Sequence, residues 1–152
     1  MYSNKSLVAL LALVGIAMAE VVPFRACSVN QCQLAEVRVD PCARDNPNAG
    51  CTLKRRQPAT LELDFTPEFN ADTLSASLNW VRPDGQELPL ISMDREACKY
   101  TNCPVTNGQQ QTYKVEIPID KKFPLNAYTI KWTLKAPNGE QCCFTHDIKL
   151  IR

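Results

Sequence analysis

The side chains best suited to chemistry in this 152-residue chain are eight cysteines, Cys27, Cys32, Cys42, Cys51, Cys98, Cys103, Cys142 and Cys143, and a single histidine, His146. Thiolates and imidazoles act as nucleophiles, general bases or metal ligands, and each role demands a spacing. The spacing here serves none of them. No two cysteines form a C-x-x-C, and the adjacent Cys142 and Cys143 do not easily occupy two vertices of one tetrahedron. One histidine cannot run a two-histidine mechanism, and the chain has no G-x-S-x-G and no glycine-rich phosphate loop. Its carboxylates fall mostly on polar faces or in turns, where solvated charge is the ordinary explanation and a glycosidase pair has no further support. The chain is expected not to be an enzyme and to need neither metal nor cofactor.

An even cysteine count reads as disulfides in an oxidising compartment, and the first residues point to one. Lys5, the apolar run from Leu7 to Ile16 and the small residues of Ala17-Met18-Ala19 compose a signal peptide over residues 1–19, leaving one domain over 20–152. That run is too short to span a hydrocarbon core of ~30 Å, and no other stretch approaches ~20 apolar residues, so a soluble secreted product is expected. Eight cysteines permit about a hundred pairings. Cys42 with Cys51 and Cys98 with Cys103 enclose short segments and make natural local clips, while Cys27 or Cys32 could reach Cys142 or Cys143 and tie the two ends together. Closing a loop of roughly 100 residues is worth about 4 to 5 kcal/mol in the chain-entropy model, so the end-to-end bridges should matter most for folding.

Charge narrows the partners. Lys and Arg number 17 against 16 Asp and Glu, and Lys5 falls in the leader, so the domain is nearly neutral and a nucleic acid is not an expected partner. The densest basic cluster, Lys54-Arg55-Arg56, reads either as a contact for a lipid phosphate or acidic partner or as a solvated face.

The elements that position these residues are strands. Leu61, Leu63 and Phe65 alternate with polar neighbours, as do Leu74 to Trp80, Tyr113 to Ile119, Tyr128 to Leu134, and Phe144 to Leu150, where His146 takes an inward slot as a pH sensor or a hydrogen-bonded interior group. Gln33 to Val39 gives a weaker strand. Pro83-Asp84-Gly85 and Pro137-Asn138-Gly139 supply turns, the second closing a hairpin. Seven or eight short strands with one apolar face each must close as two antiparallel sheets, an all-β sandwich of immunoglobulin-like proportions. Pro118 cannot donate to a ladder and marks an edge or a break. Alternation does not distinguish a solid sandwich from a hollow one.

The landmarks together resemble the ML (lipid-recognition) domain family, and within it the Niemann-Pick type C2-like secreted sterol and lipid carriers. The resemblance rests on FRACS around Cys27, EVRVDPC ending at Cys42, the partner Cys51, KYTNCPV after Cys98, the extended YKVEIPI, KWTL and the strand of Cys143, and it covers residues 20–152. It implies an immunoglobulin-like sandwich with an apolar cavity between its sheets and the bridges Cys27–Cys143, Cys42–Cys51 and Cys98–Cys103. Cys32 and Cys142 depart from that pattern, and their simplest use is a fourth bridge. The resemblance places Leu90, Ile119 and Phe123 at the mouth of the cavity, Leu90 being smaller than the aromatic expected there. Alternation nominates Phe65, Leu78, Trp80, Tyr113, Val115, Ile117, Tyr128, Ile130, Trp132, Phe144 and Ile148 for its inner wall.

The implied activity is non-catalytic binding and transport of a sterol, fatty acid or other hydrophobic small molecule by a monomer, with handover to a membrane or receptor protein. An innate-immune co-receptor that binds microbial lipid, a carrier of small semiochemicals and a solid-core interaction domain are the alternatives. Residues 20–152 contain no N-x-S/T sequon, which favours secretion over glycan-tagged delivery to the lysosomal lumen.

Overall fold

The computed structural model describes residues 19–90 and 93–152; nearly all of the proposed signal peptide lies outside the described residues. The strands are β1 (Glu20–Val21), β2 (Arg25–Ala26), β3 (Cys32–Asp40), β4 (Cys51–Lys54), β5 (Ala59–Pro67), β6 (Ser75–Val81), β7 (Glu87–Pro89), β8 (Gln111–Ile117), β9 (Ala127–Lys135) and β10 (Gln141–Ile151), with one 3-10 turn over Ala97–Lys99. They form a four-stranded sheet in the order β1-β3-β5-β8 and a six-stranded sheet in the order β2-β10-β9-β6-β7, with β4 also paired to β10. The all-β sandwich is present with ten strands among the described residues where alternation predicts seven or eight, and its long strands are the five strongly alternating segments together with β3, the weaker Gln33 to Val39 strand of the sequence.

Burial follows the alternation. Along β5 every second residue from Ala59 to Pro67 is buried, and β9 buries Tyr128, Ile130, Trp132 and Leu134. Gly139, at φ 98°, takes the left-handed conformation that the β9–β10 hairpin requires and an L side chain resists. The outward face of the four-stranded sheet is tied together by Arg38, which meets Asp64, Glu62 and Glu36, while Lys114 reaches Glu62 at 2.6 Å. Arg38 and its neighbour Thr112 hold the Asp64 carboxyl below its ordinary range.

One pairing departs from the expected antiparallel pattern: β4 runs parallel to the last four residues of β10, from Ile148↔Cys51 to Ile151↔Lys54. With only four residues it shows too little alternation to announce itself. All eight cysteines are paired, as Cys27–Cys143, Cys32–Cys142, Cys42–Cys51 and Cys98–Cys103. Cys32 lies on β3 and Cys142 on β10, so the fourth bridge joins one sheet to the other.

The approach of β4 to β10 depends on Gly50, because a Cβ there would stand 2.1 Å from the Asp147 carbonyl oxygen. Gly50→Ala should therefore push β4 off β10 and destabilise the protein by about 1–3 kcal/mol, read as a lower thermal midpoint with all four bridges intact. An unchanged midpoint would show that the junction can yield.

Candidate functional site

A cavity of about 90 Å³ lies between the sheets at one end of the sandwich. Its walls come from corresponding stretches of each strand: Val39 of β3, Leu61 of β5, Leu78 of β6, Ile117 of β8, Trp132 of β9 and Ile148 of β10. Beyond that level the sandwich is solid. Leu63, Phe65, Tyr113, Leu134 and Phe144 are almost completely buried there and fill the space between the sheets.

Trp132 stands at the boundary. It stacks on Phe144 at 6.5 Å, meets the edge of Tyr113 at 6.3 Å, and still lines the cavity. The structure brings nine of the sequence-nominated residues to the cavity: Leu90, Ile119, Phe123, Leu78, Ile117, Tyr128, Ile130, Trp132 and Ile148. Phe65, Tyr113, Val115 and Phe144 point inward into the solid half, and Trp80 packs edge-on against Tyr128 at 5.1 Å behind the cavity wall. Alternation reports which face a residue takes and says nothing of its depth along the sandwich.

The segment that carries Ile119 and Phe123 begins where the ladder stops. β8 ends at Ile117, and the chain through Pro118 and Ile119 to Phe123 leaves the sheet, as a residue without an N–H requires. The turn after β4 holds this segment in place. The Arg56 backbone N–H donates to the Ile119 carbonyl at 2.7 Å, and the Arg55 guanidinium donates to the carbonyls of Lys121 at 2.7 Å and Phe123 at 3.1 Å. Of the basic cluster, Arg55 is thus a support for this cavity-lining segment. The Tyr128 hydroxyl closes the same loop by donating to the Pro124 carbonyl at 2.7 Å.

Among the described residues no Asp, Glu, Lys or Arg lines the cavity. Its notable polar side chain is His146, whose inward slot follows from parity but whose polar character kept it out of an apolar wall. His146 is 4% exposed, and its Nε2 accepts a hydrogen bond from the Trp132 indole N–H at 3.1 Å. Burial pushes the imidazole down to about 4, with the Arg25 charge adding to the effect and Asp147 opposing it. Arg25 and Asp147 meet through two hydrogen bonds of 3.0 Å, and Thr129 donates to the same carboxylate at 2.7 Å.

A two-sheet shell stapled by disulfides around an uncharged apolar cavity defines a lipid-recognition fold. The chain belongs to the ML-domain family, whose model matches residues 21–150. It is 36% identical over 121 residues to the MD-2-related lipid-recognition protein of Manduca sexta, covering 78% of this chain and 76% of that one. To the NPC intracellular cholesterol transporter 2 of Sus scrofa it is 29% identical over 140 residues, covering 91% and 90%. Among solved structures, the Niemann-Pick type C2 protein from Japanese carpenter ant superposes with a TM-score of 0.76 at 19% identity, over 85% of this chain and 99% of that one.

Because folding favours the neutral imidazole, the unfolded chain binds one more proton than the native state between pH 6.5 and 4. The stability that His146 contributes is complete above pH 6.5 and is lost as pH falls toward 4, by roughly 3 kcal/mol in all. Denaturant unfolding of the wild type beside His146→Leu should show this difference shrinking on acidification. A pH-independent difference would mean that the imidazole binds its proton equally well in the folded and unfolded chain.

Proposed function

We propose that the protein is a secreted, non-catalytic carrier of a lipid or sterol, held between the two sheets and released to a membrane or a protein partner. The observation that carries this reading is the apolar, uncharged cavity of about 90 Å³, whose lining includes Leu90, Ile119 and Phe123. A wall without charge offers a hydrocarbon the transfer from water that drives binding, and offers a reacting group nothing to act on. Burial of about 400 Å² of ligand at ~25 cal/mol per Å² amounts to roughly 10 kcal/mol before ordering and association costs, enough for submicromolar affinity.

Ligand sites for molecules of this size measure roughly 300–1,000 Å³, so the sheets must part further when the cavity fills. β7 and β8 are edge strands, and beyond its ladder to β5 the backbone of β8 is held by the Lys114 N–H bond to the Tyr100 carbonyl. The paired cysteines suit an extracellular or lysosomal lumen. The 36% identity to the Manduca sexta MD-2-related lipid-recognition protein supports lipid recognition, which a second reading, an immune co-receptor that presents microbial lipid to a protein, uses as well. Both readings require a lipid in the cavity.

Native mass spectrometry of protein purified from a eukaryotic secretion host, followed by extraction, should recover one chemically intact lipid per chain. Phe123→Asp places a carboxylate at the mouth, where it stays partly hydrated in the empty protein and must be desolvated by an arriving ligand. Uptake of a fluorescent sterol or fatty acid should fall at least tenfold with a thermal midpoint near that of the wild type. Undiminished uptake would refute the assigned mouth, and a protein that neither carries nor takes up lipid would refute the carrier.

A further inference from the structure

The cavity has a definite depth. On β9 its lining stops at Trp132, and Leu134, next on the same face, lies in the solid half; on β10 it stops at His146, with Phe144 beyond, and on β5 at Leu61, with Leu63 beyond. The Trp132 indole is the largest side chain at this level, and it is held on three sides. Its face stacks on Phe144 with the rings 7° from parallel, its ring meets Tyr113 of the facing sheet, and its N–H donates to His146 Nε2 at 3.1 Å. The accessible wall presents no polar atom, so a hydrophobic cargo enters by its apolar end, and that end meets the indole.

An indole held by packing alone can turn about its side-chain bonds, whereas one whose N–H is taken by a buried acceptor cannot turn without stranding that donor. His146 is such an acceptor only as the neutral ring that its burial maintains. The sheets are also fastened at this depth: Cys142, opposite Leu134, is bridged to Cys32 of the other sheet. Resting on the carrier reading above, we propose that Trp132 sets the longest cargo the cavity accepts, and that His146 is the positioning residue that keeps the indole across the cavity's inner end. A lone histidine in an otherwise apolar wall thereby has a use that needs no contact with the ligand.

The test is a homologous series, the saturated primary alcohols from octanol to octadecanol, each displacing a fluorescent naphthylamine from delipidated protein. Each methylene taken out of water should raise affinity roughly fourfold until the chain end reaches the indole, where the rise stops. In Trp132→Leu the rise should continue, so that two methylenes beyond the wild-type limit raise the variant's affinity about tenfold and leave that of the wild type unchanged. His146→Leu should lengthen the limit in the same direction, and His146→Gln, whose side-chain carbonyl can accept the indole N–H, should restore it. A histidine that served stability alone would weaken all chain lengths alike. A limit unmoved in Trp132→Leu overturns the stop, and one unmoved in His146→Leu overturns the part given to the histidine.

Should the variants fail to fold, wild-type protein decides the same question with an alcohol of the limiting length, ¹³C-labelled at its terminal methyl. The methyl should show nuclear Overhauser contacts to the Trp132 ring and none to Phe65, deeper on β5. Contact with Phe65, or with Phe123 alone, overturns the stop. A ¹⁵N-histidine spectrum should show His146 Nε2 free of a proton, as accepting from the indole requires, and a proton there overturns the histidine's part. If wild-type protein binds no alcohol of the series, the carrier reading itself has failed; binding without a length limit leaves that reading standing and overturns this one.

Discussion

The separation of the two sheets along one side of the sandwich is the constraint on which the remaining architecture depends. Cys32–Cys142 fastens β3 to β10, and Cys42–Cys51 fastens the chain just beyond β3 to the start of β4. Both cross from one sheet to the other on the side where β3, β4 and β10 face one another. On the opposite side no disulfide joins the sheets, and the segment clipped by Cys98–Cys103 links them by main-chain hydrogen bonds, the Ala76 N–H of β6 to the Arg95 carbonyl and the Lys114 N–H of β8 to the Tyr100 carbonyl. The sheets are thus fastened covalently along one side and by a few hydrogen bonds along the other.

Such a shell must remain folded while empty. An apolar void costs about 24 cal/mol per Å³, so the cavity of about 90 Å³ takes roughly 2 kcal/mol from the native state. Against a total stability of roughly 5 to 15 kcal/mol for a domain, that cost is tolerable only if the other half packs without gaps. Tyr113, Phe65 and Phe144 fill the solid half to the limit of burial, and two bridges, Cys27–Cys143 and Cys32–Cys142, close that same end. Trp132 serves both halves, stacking on Phe144 in the one and walling the cavity in the other.

This division of labour explains what the sequence discloses. Period-two alternation identifies the long strands, their inward faces and the His146 slot, since each depends only on neighbours along one strand. Depth does not appear in that signal. Phe65 and Leu61 sit on one face of β5 with identical parity, yet Leu61 lines the cavity and Phe65 belongs to the solid core. The difference arises from register against β3 and β8, a property of strand pairs far apart in sequence. Strands of two to four residues, β1, β2, β4 and β7, are equally silent because so few positions carry no period. The basic cluster Lys54-Arg55-Arg56 gives no hint that one of its guanidiniums is spent on main-chain carbonyls of a loop some 66 residues away.

The segment after β8 combines two of these limits. Pro118 ends the β8 ladder, and the backbone beyond it is held by donors from the β4–β5 turn, the Arg56 N–H and the Arg55 guanidinium, in place of a neighbouring strand. Arg56 adopts φ 70°, a left-handed conformation uncommon for a residue with a side chain, and from that turn its N–H meets the Ile119 carbonyl. A loop secured by these few bonds opens at lower cost than a strand secured by a ladder, because local opening scales with the contacts it must break. The packed strands therefore bound the cavity at Trp132 and His146, whereas beside Pro118 its wall is a loop held by these few donors.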